Sequence, residues 1–370
     1  MFSKQKIARN LFRKYQIKRE QEAQITEREL KEINRLYVKA LIISGAIGVF
    51  FVVLFYLPIY QFPSFFNENF LHIQFWGLDF KLLWIRELDN ILLTYLELYV
   101  LSILSIYVIQ HLAMVLDFPE MQSKHYHLHS ENIEKLSLEV RQKKEAELGL
   151  DPFQGLSRIQ LALYLIISRF KAMLSNMLVK FLLQRFASRY VLKAVIDLAG
   201  APIYAFWNAY ATAKLFQKAK YYIFSIELTD LLAEQLHNDQ RTNREIGPEI
   251  QHLLVSVVSL KRDYSEINHY FSSKLLESLG VSMDKNEFKS LDITALEKNA
   301  NGKTVRWLCL LLATGIILDG NVSRRERRHL REMTRNMKLK DNALTDIEAF
   351  LKAYRSGQGV NYLHKKGWIA

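Results

Sequence analysis

The run from Leu41 to Leu57, LIISGAIGVFFVVLFYL, carries no charge and begins two residues after Lys39. With Val38 and Ala40 it covers about the 20 residues that an α-helix needs to cross a bilayer. Such a stretch has no stable place in water unless a large core surrounds it, and this chain segregates its charge away from it. A second apolar run, ILLTYLELYVLSILSIYVIQHLAMVL, extends from Ile91 to Leu116. The two predict a transmembrane hairpin within 40–118, with spans near 40–58 and 91–116. Pro58 and Pro63 are expected to end the first span.

The connecting stretch 59–90 holds Phe62, Phe65, Phe66, Phe70, Phe75, Trp76, Phe80 and Trp84, with Lys81 and Arg86 as its basic residues. That composition suits an aromatic belt at a membrane interface. Lys4, Lys6, Arg9, Arg13, Lys14, Lys18 and Arg19 precede the first span, and Lys124, Lys135, Arg141, Lys143 and Lys144 follow the second. The positive-inside rule then sets both termini in the cytoplasm and the aromatic loop outside. The basic arm 1–39 interleaves Phe2, Leu11, Phe12, Tyr15 and Ile17 with its cations, as a helix lying on a lipid surface does, although a disordered tail has the same composition. From Thr26 to Lys39 acid and base alternate, and a solvated helix leading into the membrane is expected.

The formal charge of the 370-residue chain is +12, which favours anionic partners. Cys309 is the single cysteine, so an internal disulfide and a cysteine-based zinc cluster are excluded. Within the second span Glu97 is an ionisable group in lipid, costly there unless paired or used. Helix–helix pairing and an ion or proton path are the two readings of it.

Just past the hairpin, in a charged juxtamembrane unit 119–152, comes His125-Tyr-His127-Leu-His129-Ser-Glu131. On an extended backbone alternate residues share a face, and His125, His127 and His129 with a carboxylate would then suit a divalent metal such as zinc. Ser130 is expected to cap a helix from Glu131 to about Glu147. The unit 153–236 is basic and apolar at once. Arg158, Arg169 and Lys180 recur along one stripe, and Arg185, Arg189 and Lys193 along another. Its apolar runs are too short to span, so it either lies in the membrane interface or packs as a core against other helices. Gly200 and Pro202 are expected to break it, and Asn208 is read as a packing amide. The Gly-Ala-Pro…Asn stretch resembles the end of the EcsC-like bacterial helical proteins, a likeness that implies membrane association.

The polar residues 237–247 read as a linker. Pro248 then opens a series of amphipathic helices, 248–261, 264–279, 284–299, 303–318, 323–337 and 341–355, followed by a tail 357–370. Between the fourth and fifth stands Asp319-Gly320-Asn-Val322-Ser323-Arg-Arg-Glu326. Gly320 suits the left-handed residue that ends a helix. Ser323 and Glu326 form the spacing of a capping box, with Val322 before the cap as a staple.

This Asp-Gly-x-Val-Ser-x-x-Glu pattern after an apolar helix resembles the tellurite-resistance TerB-like helical domain, over about 248–356. The resemblance implies a helical interaction module and makes Asp319 and Glu326 candidate metal ligands. The pattern departs from the family in its earlier half, where the stretch 257–268 lacks the glycine and has Asn268 in place of the glutamate. An EF-hand is excluded by its missing alternating acids.

The helix from Ser323 carries Arg324, Arg327, Arg328, Arg331 and Arg335, positioned to meet anionic phospholipid head groups beside an inner leaflet. Nucleic acid is not the expected partner, because no nucleic-acid-binding fold pattern accompanies the charge. Phosphate-binding, dinucleotide, Gly-x-Ser-x-Gly and His-Glu-x-x-His motifs are all missing. Binding or scaffolding is therefore expected ahead of catalysis.

The chain reads as an all-α protein, a two-span hairpin plus cytoplasmic helical bundles, resident in the inner membrane of a bacterial-type cell. Its TerB-like module would bind a protein partner in envelope or stress response. Two alternatives stand beside that reading. One is a subunit of a homo-oligomeric transporter or channel with Glu97 on the path. The other is a metalloprotein using the three histidines.

Overall fold

A computed structural model of the chain describes residues 25–68, 71–75, 78–119, 126–137, 193–261, 265–281, 302–336 and 343–369. The N-terminal arm before Ile25, His125, the stripes bearing Arg158, Arg169, Lys180, Arg185 and Arg189, and the expected helix 284–299 lie outside them.

Thr26 opens the first helix, α1, Glu27–Gln61. Its hydroxyl accepts from the Glu29 amide at 3.2 Å, while the Glu29 carboxylate accepts from the Thr26 amide at 2.7 Å. Two of the helix's unpaired amino-terminal donors are thereby satisfied. The expected solvated segment and first span are thus one continuous helix. Ile33, Leu36 and Ala40 on its first turns are buried, so that segment is only partly solvated. Pro58 does not stop the helix. A single proline costs one backbone bond, and the Phe62 amide still donates to the Pro58 carbonyl at 2.8 Å. The stop comes at Phe62, where Pro63 begins the short helix α2, Pro63–Asn67.

An antiparallel ribbon follows, β1 Leu71–Phe75 with β2 Leu78–Leu82, pairing Leu71 with Leu82 and Phe75 with Leu78. Among the described residues the other elements are helices. The chain then returns along α3, Trp84–Val115. Phe55, Ile59 and Phe66 form a small cluster here with Ile85 and Leu93 against it, and the Arg86 guanidinium lies 5.7 Å from the Phe55 ring centre. The aromatic connection is therefore partly packed inward. Both α1 and α3 are long and apolar enough to cross a membrane. They expose large apolar side chains from Val38 to Tyr60 and from Leu88 to Tyr107, Ile42 at 66% being an extreme case.

Helix α4, Tyr126–Ser137, starts before Ser130, which is therefore internal and no cap. Helix α5, Lys193–Asn238, runs unbroken through Gly200 and Pro202. Its first half packs on α1 at Gly45 and Gly48 and on α3 at Glu97. Only Asp239 separates it from α6, Gln240–Lys261, where a linker was expected. The stretch is polar but not loose, because Ile246 and Ile250 are fully buried on one face. Pro248 consequently sits inside α6 rather than at its first turn.

The remaining helices match the expected ones closely: α7 Glu266–Leu279, α8 Gly302–Ile317, α9 Arg324–Asn336 and α10 Ala343–Arg355. The expected tail instead forms α11, Gly359–Lys365, which buries Leu363.

One hydrophobic core joins all this. It takes Ile33 and Leu36 from α1, Val108 to Leu116 at the end of α3, Ile133 from α4, and Phe216 to Leu236 from α5. Val257, Phe271, Leu311 and Phe350 come from the helices that follow. Among the described residues this core draws on helices from the expected juxtamembrane, middle and C-terminal units alike. The helices with the exposed apolar band run straight into it.

Candidate functional site

The loop between α8 and α9 is built as its residues dictate. Gly320 ends α8 with φ of 73°, the left-handed conformation that glycine adopts without strain. The Glu326 carboxylate accepts from the Ser323 amide at 2.8 Å, and the Ser323 hydroxyl accepts from the Glu326 amide at 3.3 Å. That completes the capping box at the start of α9.

Long-range contacts then lock the loop. Lys261, at the end of α6, directs its ammonium at Asp319 Oδ1 (2.8 Å), the Asn321 carbonyl (2.9 Å) and Glu326 Oε2 (3.5 Å). Its side chain is only 5% exposed. Three N–H donors meet three oxygens, so the two carboxylates that the TerB resemblance offers to a metal already hold a cation of the protein's own. A metal ion would have to displace that ammonium.

On the other side of the loop, the Arg355 Nε donates to the Gly320 carbonyl at 2.7 Å. The Tyr354 hydroxyl donates to the Leu318 carbonyl at 2.7 Å. Burial raises the Tyr354 phenol well above its ordinary value, with the Asp319 charge adding to it, so it stays a neutral donor. Lys220 of α5 donates to the Arg355 carbonyl at 2.9 Å, and burial, then the Arg355 charge, lowers its pKa. A Cβ on Gly320 would run into the Tyr221 ring of α5. The loop is thus docked on the same helix that packs against α1.

His127 and His129 do not share a face, and His125 lies outside the described residues. In a helix, residues two apart point in nearly opposite directions. His127 faces out, while His129 is buried with its Nδ1 3.2 Å from the Tyr222 hydroxyl. The single face that a metal would need depends on an extended backbone, which α4 does not have. Asn132 Nδ2 donates to the same hydroxyl at 2.8 Å, and burial raises the Tyr222 phenol above its ordinary value. Among the described residues no group of three or more His, Cys, Asp or Glu side chains is placed to hold a metal ion.

Glu97 is 4% exposed and Asn208 2%. The Asn208 amide donates to Glu97 Oε1 at 2.6 Å, joining α3 to α5 at the level of the apolar band. This bond is the kind that the helix-pairing reading of Glu97 expects, with Asn208 as the partner that the local sequence did not identify. Cys309 is buried, and its thiol is pushed up to about 12 by that burial, which leaves it an inert core residue.

Arg324, Arg327, Arg328 and Arg331 are exposed on α9. Arg327 stands 3.8 Å from Glu348 on α10. Arg335 falls within the same helix. Lys261, Tyr221, Tyr354 and Arg355 were not identified from the sequence as loop residues. The one local signal was Lys261 closing its helix at the position that corresponds to the loop in the earlier half of the TerB-like pattern.

Compared with family models, curated proteins and solved structures, the chain matches none.

Proposed function

We propose that this chain is an integral protein of the inner membrane of a bacterial-type cell whose cytoplasmic helical core is an interaction element. The observation that carries this reading is the band of outward-facing apolar side chains on α1 and α3, from Val38 to Tyr60 and from Leu88 to Tyr107. Soluble proteins rarely expose contiguous apolar surface on that scale. The band stops where the same two helices enter the polar-surfaced core, as expected of helices leaving a bilayer.

The core has the surface of a binding module. Its loop carboxylates are paired internally with Lys261, which supports a structural role for the loop. Its exposed charge is the arginine row of α9, suited to an acidic protein partner or to anionic head groups. The helix, left-handed glycine and capping box at 302–336 support a TerB-like assignment, and with it a part in envelope or stress response.

Threading is tested by cysteine labelling in intact cells. Ser64→Cys, on the connection between α1 and α3, is expected to react with an impermeant maleimide. Ser356→Cys, exposed after α10, is expected to react only after lysis. Native Cys309 is buried and contributes little background. The opposite pattern would place the core outside and overturn the assignment. Release of the whole chain by an alkaline carbonate wash would overturn membrane insertion itself.

A further inference from the structure

The first half of α5 does not reach the hydropathy of a spanning helix, yet its neighbours are the two that do. Its register along α1 is antiparallel. The Tyr37 and Phe216 rings lie 5.1 Å apart. Farther along, Gly45 is opposite Ala205, and Gly48 opposite Tyr204 and Asn208. One step forward on α1 is one step back on α5. Continued at that rate, the register puts the start of α5 at Lys193 beside the far end of α1, near Pro58 to Gln61. The stretch from Ala213 back to Lys193 is about 30 Å of helix, the thickness of a hydrocarbon core.

The contact faces are what helices in lipid use. A Cβ on Gly48 would lie 2.9 Å from the Tyr204 carbonyl and from Asn208 Nδ2, so the backbones meet through the glycine. Ala201, Asn208 and Thr212 are buried on α5, and Ser44, Gly48 and Val52 on α1. Small residues allow that close approach, and the Asn208–Glu97 bond ties the same stretch of α5 to α3. The opposite face of α5 presents Ile203, Phe206 and Tyr210, with Phe206 63% exposed. These three lie at the height of the exposed apolar side chains on α1 and continue that band around the bundle.

We propose that the α5 segment up to Ala213 is a third membrane-embedded helix, its Ile203–Phe206–Tyr210 face in contact with lipid acyl chains. This rests on the membrane reading of α1 and α3. It assigns the low hydropathy of α5 to a face that is covered by helices rather than by lipid.

Site-directed spin labelling of the full chain in phosphatidylcholine–phosphatidylglycerol bilayers tests it, with Cys309→Ser as background. Labels go at Ile203, Phe206 and Tyr210, with Ile42 and Phe50 of α1 as lipid-face references and Gln217 of α5 as a water reference. The three test sites are expected to be accessible to oxygen and shielded from a nickel chelate, as Ile42 and Phe50 are, while Gln217 is open to nickel. Nickel access at the test sites equal to that at Gln217 would overturn the proposal. So would closure to both reagents, which would mean that protein covers the face. Nickel access at Ile42 and Phe50 would instead overturn the membrane reading on which the proposal stands.

Discussion

Gly320→Ala tests how the loop is held, and Gly280→Ala is its internal control. Both glycines have positive φ, 73° and 65°, so both substitutions carry the left-handed penalty of about 1 kcal/mol for a residue with a side chain. Their surroundings differ. A Cβ at Gly280 meets nothing within 4 Å, whereas one at Gly320 runs into the Tyr221 ring. Tyr221 is buried between α5 and α10, its ring 6.0 Å from that of Tyr354 and nearly parallel to it, so it has little room to yield. Forcing a methyl into such packing costs about 1–3 kcal/mol.

Gly320→Ala should therefore destabilise by about 2–4 kcal/mol in all, and Gly280→Ala by about 1. The assay is thermal unfolding of the purified full chain in detergent. The isolated segment 245–370 is unsuitable, because it lacks the helix on which the loop docks. Adding Tyr221→Leu should recover part of the Gly320→Ala loss by vacating the ring. Equal melting temperatures for the two glycine variants would refute the docking of the loop on α5.

Other expectations follow from the same contacts. Asn208→Leu leaves the Glu97 carboxylate without its amide donor and should lower the melting temperature, whereas Glu97→Gln with native Asn208 should be much milder. The two would differ little if the residues do not pair. Burial, with Arg325 adding to it and Glu332 opposing it, lowers the pKa of His329. Its folded form resists protonation, so stability should fall as pH drops through about 6.5, and His329→Gln should flatten that slope; an unchanged slope would exclude His329 as its source. The full chain without its membrane, in detergent, should retain phosphatidylglycerol micelles through α9 at low salt and release them at high salt, where the screening length is about 3 Å at 1 M. Replacing Arg327, Arg328 and Arg331 by Gln should remove that retention, and stronger retention of an acidic peptide would favour a protein partner.

What could be read from the residues alone was local. The run from Leu41 to Leu57 announces itself because no charge interrupts it. The loop 319–326 could be read because its glycine, cap and box obey spacing rules within a few residues. Lys261 could not, since it arrives from another helix, and closing that helix was its one local mark. The first half of α5 was obscured by its own pairing. Pro202 and Asn208 lower its hydropathy, and the partner of Asn208 is visible only once α3 lies beside it. The polar stretch 237–247 resembled a linker because the two isoleucines that anchor it, Ile246 and Ile250, fall at its edge. His127 and His129 misled through geometry, a strand spacing placed on a helix.

The account turns on α5 lying antiparallel against α1 within the apolar band, and one covalent measurement reaches it. A Cβ on Gly45 would lie 3.8 Å from the Ala205 Cβ, inside the range of about 3.5–4.5 Å for disulfide-bonded cysteines. Gly45→Cys with Ala205→Cys, in a Cys309→Ser chain oxidised in native membranes, should yield a disulfide-linked pair of peptides within one chain by mass spectrometry. Gly45→Cys with Phe206→Cys, whose side chain faces away, should not. A link in the second pair but not the first, or in neither, would contradict the packing of α5 on α1.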